Sequence, residues 1–468
     1  MKDQPTFDFD LLCIGSGPAG QRAAVQAAKL GKRTAIVERG HLIGGVCVDT
    51  GTIPSKTFRE AVLAVMDGTG FEEGFGRPVA RSRPSAQALM ARVAEVEYRQ
   101  AEIIRDQLQR NDVTVFMGEA SFQDSHTVTV TRDGQAATVQ AANILIAVGT
   151  VPAPPPGMLT ESKLVVTSDE LLQITCLPRR FSVIGAGVIG IEYASMFAAL
   201  GIDVTVVDKR ERPLEFLDGE LVDELLHQMR NAGITFRLGE AVERLEAVAK
   251  PSPGVVIFLE SGKRLVSDLT LFSAGRQGAT DRLNLSAAGL KADERGRLRV
   301  DSEYRTSVQH ILAAGDVIGF PSLATTSAEQ GRLAACAAFG IDAEPMASHF
   351  PIGIYAIPEV SAVGEPEHVL TTKKVPYESG VARYREIARG HIMGDDSGFL
   401  KMLFHREDHR LLGVHAVGTG ATELIHIGQA VLGLRGGLDY FLSTAFNYPT
   451  LAECYKVAAL DAFNKLSA

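Results

Sequence analysis

A strand, a glycine-rich turn, a helix, a second strand and a closing acid follow one another twice in this 468-residue chain. The repetition predicts an α/β fold with two Rossmann-like units, each a parallel sheet carrying helices. In both copies the acid stands 23 residues after the first glycine of the turn. Two further apolar runs, Asn143 to Thr150 and His310 to Asp316, also break at glycine. Strands of an open parallel sheet do so at the carboxyl ends where ligands bind.

The first unit begins with the apolar strand Phe9 to Ile14, which breaks into Gly15-Ser16-Gly17-Pro18-Ala19-Gly20. An Ala-rich helix from Gln21 to Leu30 follows, then the strand Arg33 to Val37 ending at Glu38 and Arg39. Each residue type suits a dinucleotide. Gly15 permits the tight turn, Gly17 lets a pyrophosphate approach the backbone, Gly20 lets helix pack on strand, and Glu38 accepts from ribose hydroxyls. The second unit repeats this with Arg180 to Ile184, the turn Gly185, Gly187 and Gly190, a helix to Leu200, and Asp203 to Val207 closing at Asp208. One such turn alone could be an ordinary strand-to-helix connection; two at matched spacing predict two nucleotide sites. Gly149, Gly275 and Asp316 join the candidate cofactor contacts.

Composition excludes several classes. With 46% hydrophobic and 22% charged residues the chain has material for several cored domains. A net charge of -9 gives no general cationic field for nucleic acid or anionic lipid. No apolar run reaches the roughly 18 residues of a membrane helix, and Met1 to Asp10 lacks a secretion signal, so the expectation is a cytoplasmic protein with neither nucleic-acid nor membrane partners. Five scattered cysteines, Cys13, Cys47, Cys176, Cys336 and Cys454, make no CxxC pair and no disulfide framework. Breaks near 150, 276 and 346 divide the chain into 1–150, 151–275, 276–345 and 346–468, and the region Arg77 to Gln109 reads as a long inserted helix. Glu423 and His426 have the spacing of a helical ligand pair, with His405, His409 and His415 nearby. No partner motif accompanies them, so no metal site is expected.

The segment Gly44-Gly45-Val46-Cys47-Val48-Asp49-Thr50-Gly51-Thr52-Ile53-Pro54-Ser55-Lys56 resembles the flavoprotein disulfide reductases, relatives of dihydrolipoamide dehydrogenase and glutathione reductase. The resemblance extends to Thr306 to Asp316 and to Phe446-Asn447-Tyr448-Pro449-Thr450 with Glu453. It implies FAD in the first unit, residues 276–345 returning to it, a nicotinamide nucleotide in the second, and a C-terminal α+β dimerisation domain. A homodimer or larger homo-oligomer follows, with Tyr448 and Glu453 reaching the neighbouring subunit's flavin. Gly45, Cys47 and Thr52 then contact flavin, and Lys56 pairs with Glu192 beside it.

Two departures matter. Thr52 stands where the family has its second redox cysteine, and a hydroxyl forms no disulfide. Tyr448 stands where the family has its acid/base histidine, and a phenol titrating near ~10 is a poor base at pH 7. Dithiol chemistry is therefore lost at both ends. The motifs are most similar to the family's transhydrogenase branch, which implies ping-pong hydride transfer between NADPH and NAD through FAD. An NAD(P)H dehydrogenase, quinone reductase or oxidase is the alternative, and a nonenzymatic redox-sensing flavoprotein the second. Asp208 suits the 2'-hydroxyl of NAD, whereas Lys209, Arg210 or Arg212 suit the 2'-phosphate of NADP, Arg210 foremost. Cys47 stays open between a flavin contact and a small packing residue.

Overall fold

The computed structural model describes residues 7–67, 84–153, 162–248 and 253–467. Among the described residues the first sheet has seven strands, five of them side by side and parallel: Thr114–Met117, Thr34–Glu38, Phe9–Ile14, the far half of Gln135–Ile146, and Ile311–Ala313. Phe9–Ile14 is central, with Leu12 opposite Ala35 on one side and Ile144 on the other. A strand buried on both faces must be apolar throughout, as Leu11 to Ile14 are. The near half of Gln135–Ile146 turns away to pair antiparallel with Thr127–Arg132. The expected strand over 143–150 thus starts earlier and stops at Ile146, while Thr150–Pro152 forms a separate short strand.

Thr150–Pro152 pairs antiparallel with Arg276–Gly278, so the chain leaves the first sheet and returns to it through adjacent strands. Arg276 fastens this crossing, donating to the Thr150 carbonyl and hydroxyl at 2.9 Å each and to Asp169 at 3.0 Å. Ile311–Ala313 then joins the first sheet, and the helix Ala324–Ala338 packs on Pro18–Lys29. The second sheet is parallel throughout, in the order Thr235–Leu238, Asp203–Asp208, Arg180–Ile184, Leu269–Phe272, Val165–Thr167.

The long inserted helix spans Ala86–Arg110, later than its expected start, because Ser85 caps it by accepting from the Ala88 N–H at 3.1 Å. Residues 77–83 lie outside the described residues. This helix packs on Thr52–Asp67, and Pro154 to Gly157 also fall outside the described residues. The C-terminal sheet is antiparallel, in the order Ile352–Ile354, Val360–Gly364, Leu411–Val417, Phe399–His405, Tyr377–Arg383. The helices Ala421–Gly433 and Glu453–Leu466 cover it around Phe404, Phe441 and Tyr455. No helix among the described residues is long and apolar enough to cross a membrane.

An ionic cluster around a buried lysine joins the second sheet's layer to this one. Lys401, 1% exposed, reaches Asp218 and Glu220 at 3.0 Å and Glu367 at 3.1 Å. Asp218 also caps the helix Gly219–Asn231 and accepts from the Glu367 N–H at 3.2 Å. Beside them His415 is fully buried, its Nε2 3.1 Å from the Glu365 carbonyl and its Nδ1 without a partner. Burial pushes this imidazole down to about 4, against the pull of Asp218. The native state therefore holds it neutral while an unfolded chain would protonate it near ~6.5. Its contribution is fully present above ~6.5 and is lost as pH falls from there toward 4, by on the order of 3 kcal/mol. The urea midpoint should fall over that window in the wild type and fall less in His415→Gln; equal slopes would show that another group carries the acid sensitivity.

Candidate active site

Both glycine turns are built alike. Gly15 and Gly185 sit at φ of +107° and +108°, where a side chain is strained. A Cβ on Gly20 or Gly190 would lie 1.9 Å from the carbonyl oxygen of Gly15 or Gly185, so only glycine lets each helix seat this close to its strand. Gly17 and Gly187, by contrast, face open space. These two residues cap Pro18–Lys29 and Val188–Ala199 with no side-chain bond to either helix start. The first-turn N–H groups and the positive end of each helix are left for an anion, as a dinucleotide pyrophosphate requires.

A continuous cleft runs from the first turn along the carboxyl ends of the parallel strands. Gly15, Gly17, Glu38, Arg39, Gly45, Cys47, Thr52, Gly149 and Asp316 all line it, while Gly20 serves packing behind it. Glu38 organises one end: its Oε2 accepts from the Ser16 N–H at 3.1 Å and the Ser16 hydroxyl at 2.5 Å, and its Oε1 from the Gly40 N–H at 2.6 Å. The Ser16 hydroxyl in turn accepts from the Gly44 N–H at 2.8 Å, tying the turn to the loop that carries Cys47. Burial raises the carboxyl of Asp316, with a bond from Ser327 at 3.3 Å opposing it. Asp49 and Arg282 line the cleft too and carry no motif that marks them in sequence.

Cys47 lies in the short helix Val46–Asp49 and Thr52 opens the helix Thr52–Asp67. Burial pushes the Cys47 thiol up; the Asp316 charge adds to this, while a bond with Thr52 and the charge of Lys56 oppose it. The thiol's neighbour is thus a hydroxyl, and at neutral pH it stays protonated.

One turn further on, Lys56 crosses to the second unit. Its Nζ lies 3.0 Å from Oε1 and 2.8 Å from Oε2 of Glu192, on the helix Val188–Ala199. The pair predicted from the motif is formed. Glu192 is almost entirely buried and also accepts from the Tyr355 N–H at 2.9 Å.

In the second unit Asp208 is saturated. Its Oδ2 accepts from the Ala186 N–H at 2.6 Å and from Arg210 Nη2 at 2.7 Å; its Oδ1 accepts from the Arg210 N–H at 2.8 Å and Nε at 2.9 Å. A carboxylate offers about four acceptor sites, and all are engaged. These donors hold the Asp208 carboxyl below the usual range against its burial. Gly275 turns at φ +138° just before the returning strand Arg276–Gly278. Arg212 pairs instead with Asp223 at 2.8 Å.

The structure does not bring Tyr448 and Glu453 to this site within one chain. Tyr448 is 69% exposed, and Glu453 has a buried Oε2 without a partner. His426 bonds Gln429 at 2.9 Å, and no group of three or more metal-ligating side chains is arranged for an ion among the described residues.

A family model described as pyridine nucleotide-disulphide oxidoreductase matches residues 9–331, and the dimerisation domain of the same family matches 350–459. The chain belongs to this family. It is an oxidoreductase with the flavin and nicotinamide nucleotide sites of the flavoprotein disulfide reductases, and the open helix starts described above fit both groups. Among curated relatives, the soluble pyridine nucleotide transhydrogenase of Mycobacterium tuberculosis is 51% identical over 98% of both chains. That of Colwellia psychrerythraea is 42% identical over 99% of this chain and 100% of its own. Among solved structures, the Cu(II) complex of the HOCl-induced flavoprotein disulfide reductase RclA from Escherichia coli matches with a TM-score of 0.88 at 25% identity, covering 97% of this chain and 99% of that one. LpdA from M. tuberculosis matches at 0.86 and 26% identity, covering 96% and 99%.

The thiol environments generate a prediction. Iodoacetamide at pH 7.5 should label exposed Cys176 first and Cys47 at least about tenfold more slowly, Cys47 catching up only above the pH where ordinary thiols ionise near ~8.5. Peptide mass spectrometry reads both rates, and fast labelling of Cys47 at pH 7.5 would contradict its protonated state.

Proposed function

We propose that the protein is an FAD-dependent transhydrogenase exchanging hydride between NADPH and NAD in a ping-pong cycle. The observation that carries this is that Cys47 and Thr52 line the first cleft together, a single thiol beside a hydroxyl, next to two intact nucleotide turns. Electrons that enter from a nicotinamide have no dithiol through which to leave. FAD in the first cleft would supply a two-electron carrier that accepts hydride from one nicotinamide and returns it to the next. The names of the two relatives above support the same reading.

Each candidate residue then has a task. The start of Pro18–Lys29 and Gly17 hold the FAD pyrophosphate, Glu38 and Arg39 its adenosine ribose, and Gly45, Gly149 and Asp316 the remainder of the cofactor. Gly185, Gly187, Gly190 and Gly275 shape the nicotinamide nucleotide site. Lys56 holds a fixed positive charge, oriented by Glu192, at the boundary between the two sites. Thr52 closes the dithiol route, and Cys47 packs against it. Hydride carries both electrons, so the reaction needs no external acid or base and tolerates Tyr448 in place of histidine. The protein acts in the cytoplasm as a homodimer or larger homo-oligomer, in which Tyr448 and Glu453 face the neighbouring subunit's cleft.

Nucleotide choice follows from the saturated Asp208. Arg210 neutralises the carboxylate that would otherwise repel a 2'-phosphate, and its partly exposed guanidinium can donate to that phosphate. For NAD, one Arg210 bond yields to the ribose hydroxyl. The site takes either nucleotide by moving one side chain.

Two measurements test this reading. With the FAD-loaded enzyme under anaerobic conditions, initial rates of thio-NAD reduction by NADPH should give parallel double-reciprocal lines. Faster turnover with a benzoquinone than with thio-NAD would favour a quinone reductase. Arg210→Ala should raise KM for NADPH by about tenfold or more, the worth of a charge-assisted bond, and leave that for NADH within about threefold. Equal effects on both would remove Arg210 from phosphate recognition.

A further inference from the structure

The Lys56–Glu192 pair has a third member, and it comes from the C-terminal part of the chain. The connection between the strands Ile352–Ile354 and Val360–Gly364 brings Tyr355 against both partners. Its N–H donates to Glu192 Oε1 at 2.9 Å, and its ring centroid lies 5.0 Å from Lys56 Nζ. A lysine stem has four rotatable carbons, so a single ion pair leaves the ammonium room to wander; an aromatic face within about 6 Å adds a second restraint.

The segment that carries Tyr355 is itself held. The Thr422 hydroxyl donates to Glu359 Oε2 at 2.7 Å. Glu359 Oε1 meets Arg59 Nη2 at 3.0 Å, and Arg59 Nε donates to the Ala356 carbonyl at 3.0 Å. Two residues beyond Tyr355, the Ile357 N–H donates to Ser195 Oγ at 3.0 Å, and that hydroxyl donates to the Glu192 carbonyl at 2.7 Å. Arg59 and Lys56 share one helix, and Ser195 and Glu192 share another. The 355–359 segment is thus bolted to the two helices that carry the ion pair.

We propose that Tyr355 is a positioning residue that fixes Lys56 and Glu192 in register, its N–H orienting the carboxylate and its ring confining the ammonium. The catalytic consequence rests on the transhydrogenase reading above; the confinement of Lys56 does not.

The test uses the FAD-loaded protein and two readouts. Limited acetylation with acetic anhydride, followed by peptide mass spectrometry, reports the reactivity of Lys56 relative to exposed Lys263. Tyr355→Phe keeps the N–H and the ring and should leave this ratio within about twofold. Tyr355→Leu should raise it by about fivefold, and Tyr355→Met, closer in length, serves if the leucine variant does not fold; the change matches a restraint of cation–π size. In turnover, Tyr355→Leu should lower kcat by about tenfold with KM for NADPH within about twofold, and should add nothing in a Lys56→Met background. Unchanged Lys56 reactivity in both the leucine and methionine variants would overturn the proposal. Raised reactivity with unchanged kcat would uphold the confinement of Lys56 and overturn the reading of the pair as part of the catalytic machinery.

Discussion

Glu192 is a charged carboxylate with 3% of its surface exposed, and taking such a group out of water costs several kcal/mol unless donors surround it. Its donors come from two other parts of the chain: Lys56 from the first cleft's helix and the Tyr355 N–H from the C-terminal connection. Satisfying one buried charge therefore requires all three layers to arrive in register. Arg59, Glu359 and Ser195, all buried, extend the same requirement outward. The first sheet, the second sheet and the C-terminal sheet cannot shift independently without stranding a charge at this junction.

Within each nucleotide unit the governing constraint is steric. Gly20 and Gly190 let a helix start touch the preceding turn, and Gly17 and Gly187 leave the capping position bare. The result is two uncapped helix dipoles at the carboxyl ends of two parallel sheets. The units differ in what awaits the ribose. Glu38 is held by neutral donors, a serine and backbone N–H groups, whereas Asp208 is covered by the guanidinium of Arg210. One acid is held by neutral donors alone; the other is part of an ion pair. On the transhydrogenase reading proposed above, the contrast suits a retained cofactor in one site and exchanging nucleotides in the other.

Local chemistry was legible in the sequence because it is written in short spacings. Both glycine turns, the closing acids and the Cys47 to Lys56 segment could be read before any coordinates, whereas the Lys56–Glu192 pair, 136 residues apart, came only from the family resemblance. What could not be read joins residues far apart along the chain. Tyr355 and Glu192 lie 163 residues apart, and Arg59 and Ala356 lie 297 apart, and no periodicity marks such partners. The Arg210–Asp208 pair is local, yet sequence offered a ribose hydroxyl for Asp208 and a phosphate for Arg210 and not their mutual saturation. Tyr448 and Glu453 share a motif, yet within one chain Tyr448 stands 69% exposed and the buried Glu453 Oε2 has no partner. The inserted helix starts at Ala86, where Ser85 supplies the N-cap, a boundary that helix-rich composition alone does not mark.

The account stands on separate half-reactions at a flavin with no dithiol outlet. The most direct measurement loads the FAD enzyme anaerobically with hydride-face-deuterated NADPH, removes all free nucleotide by rapid gel filtration, and then mixes the protein with NAD. The account predicts one NADH per active site formed within a single turnover. A binary complex that forms no NADH until NADPH is added back would contradict it, since transfer would then need both nucleotides bound at once.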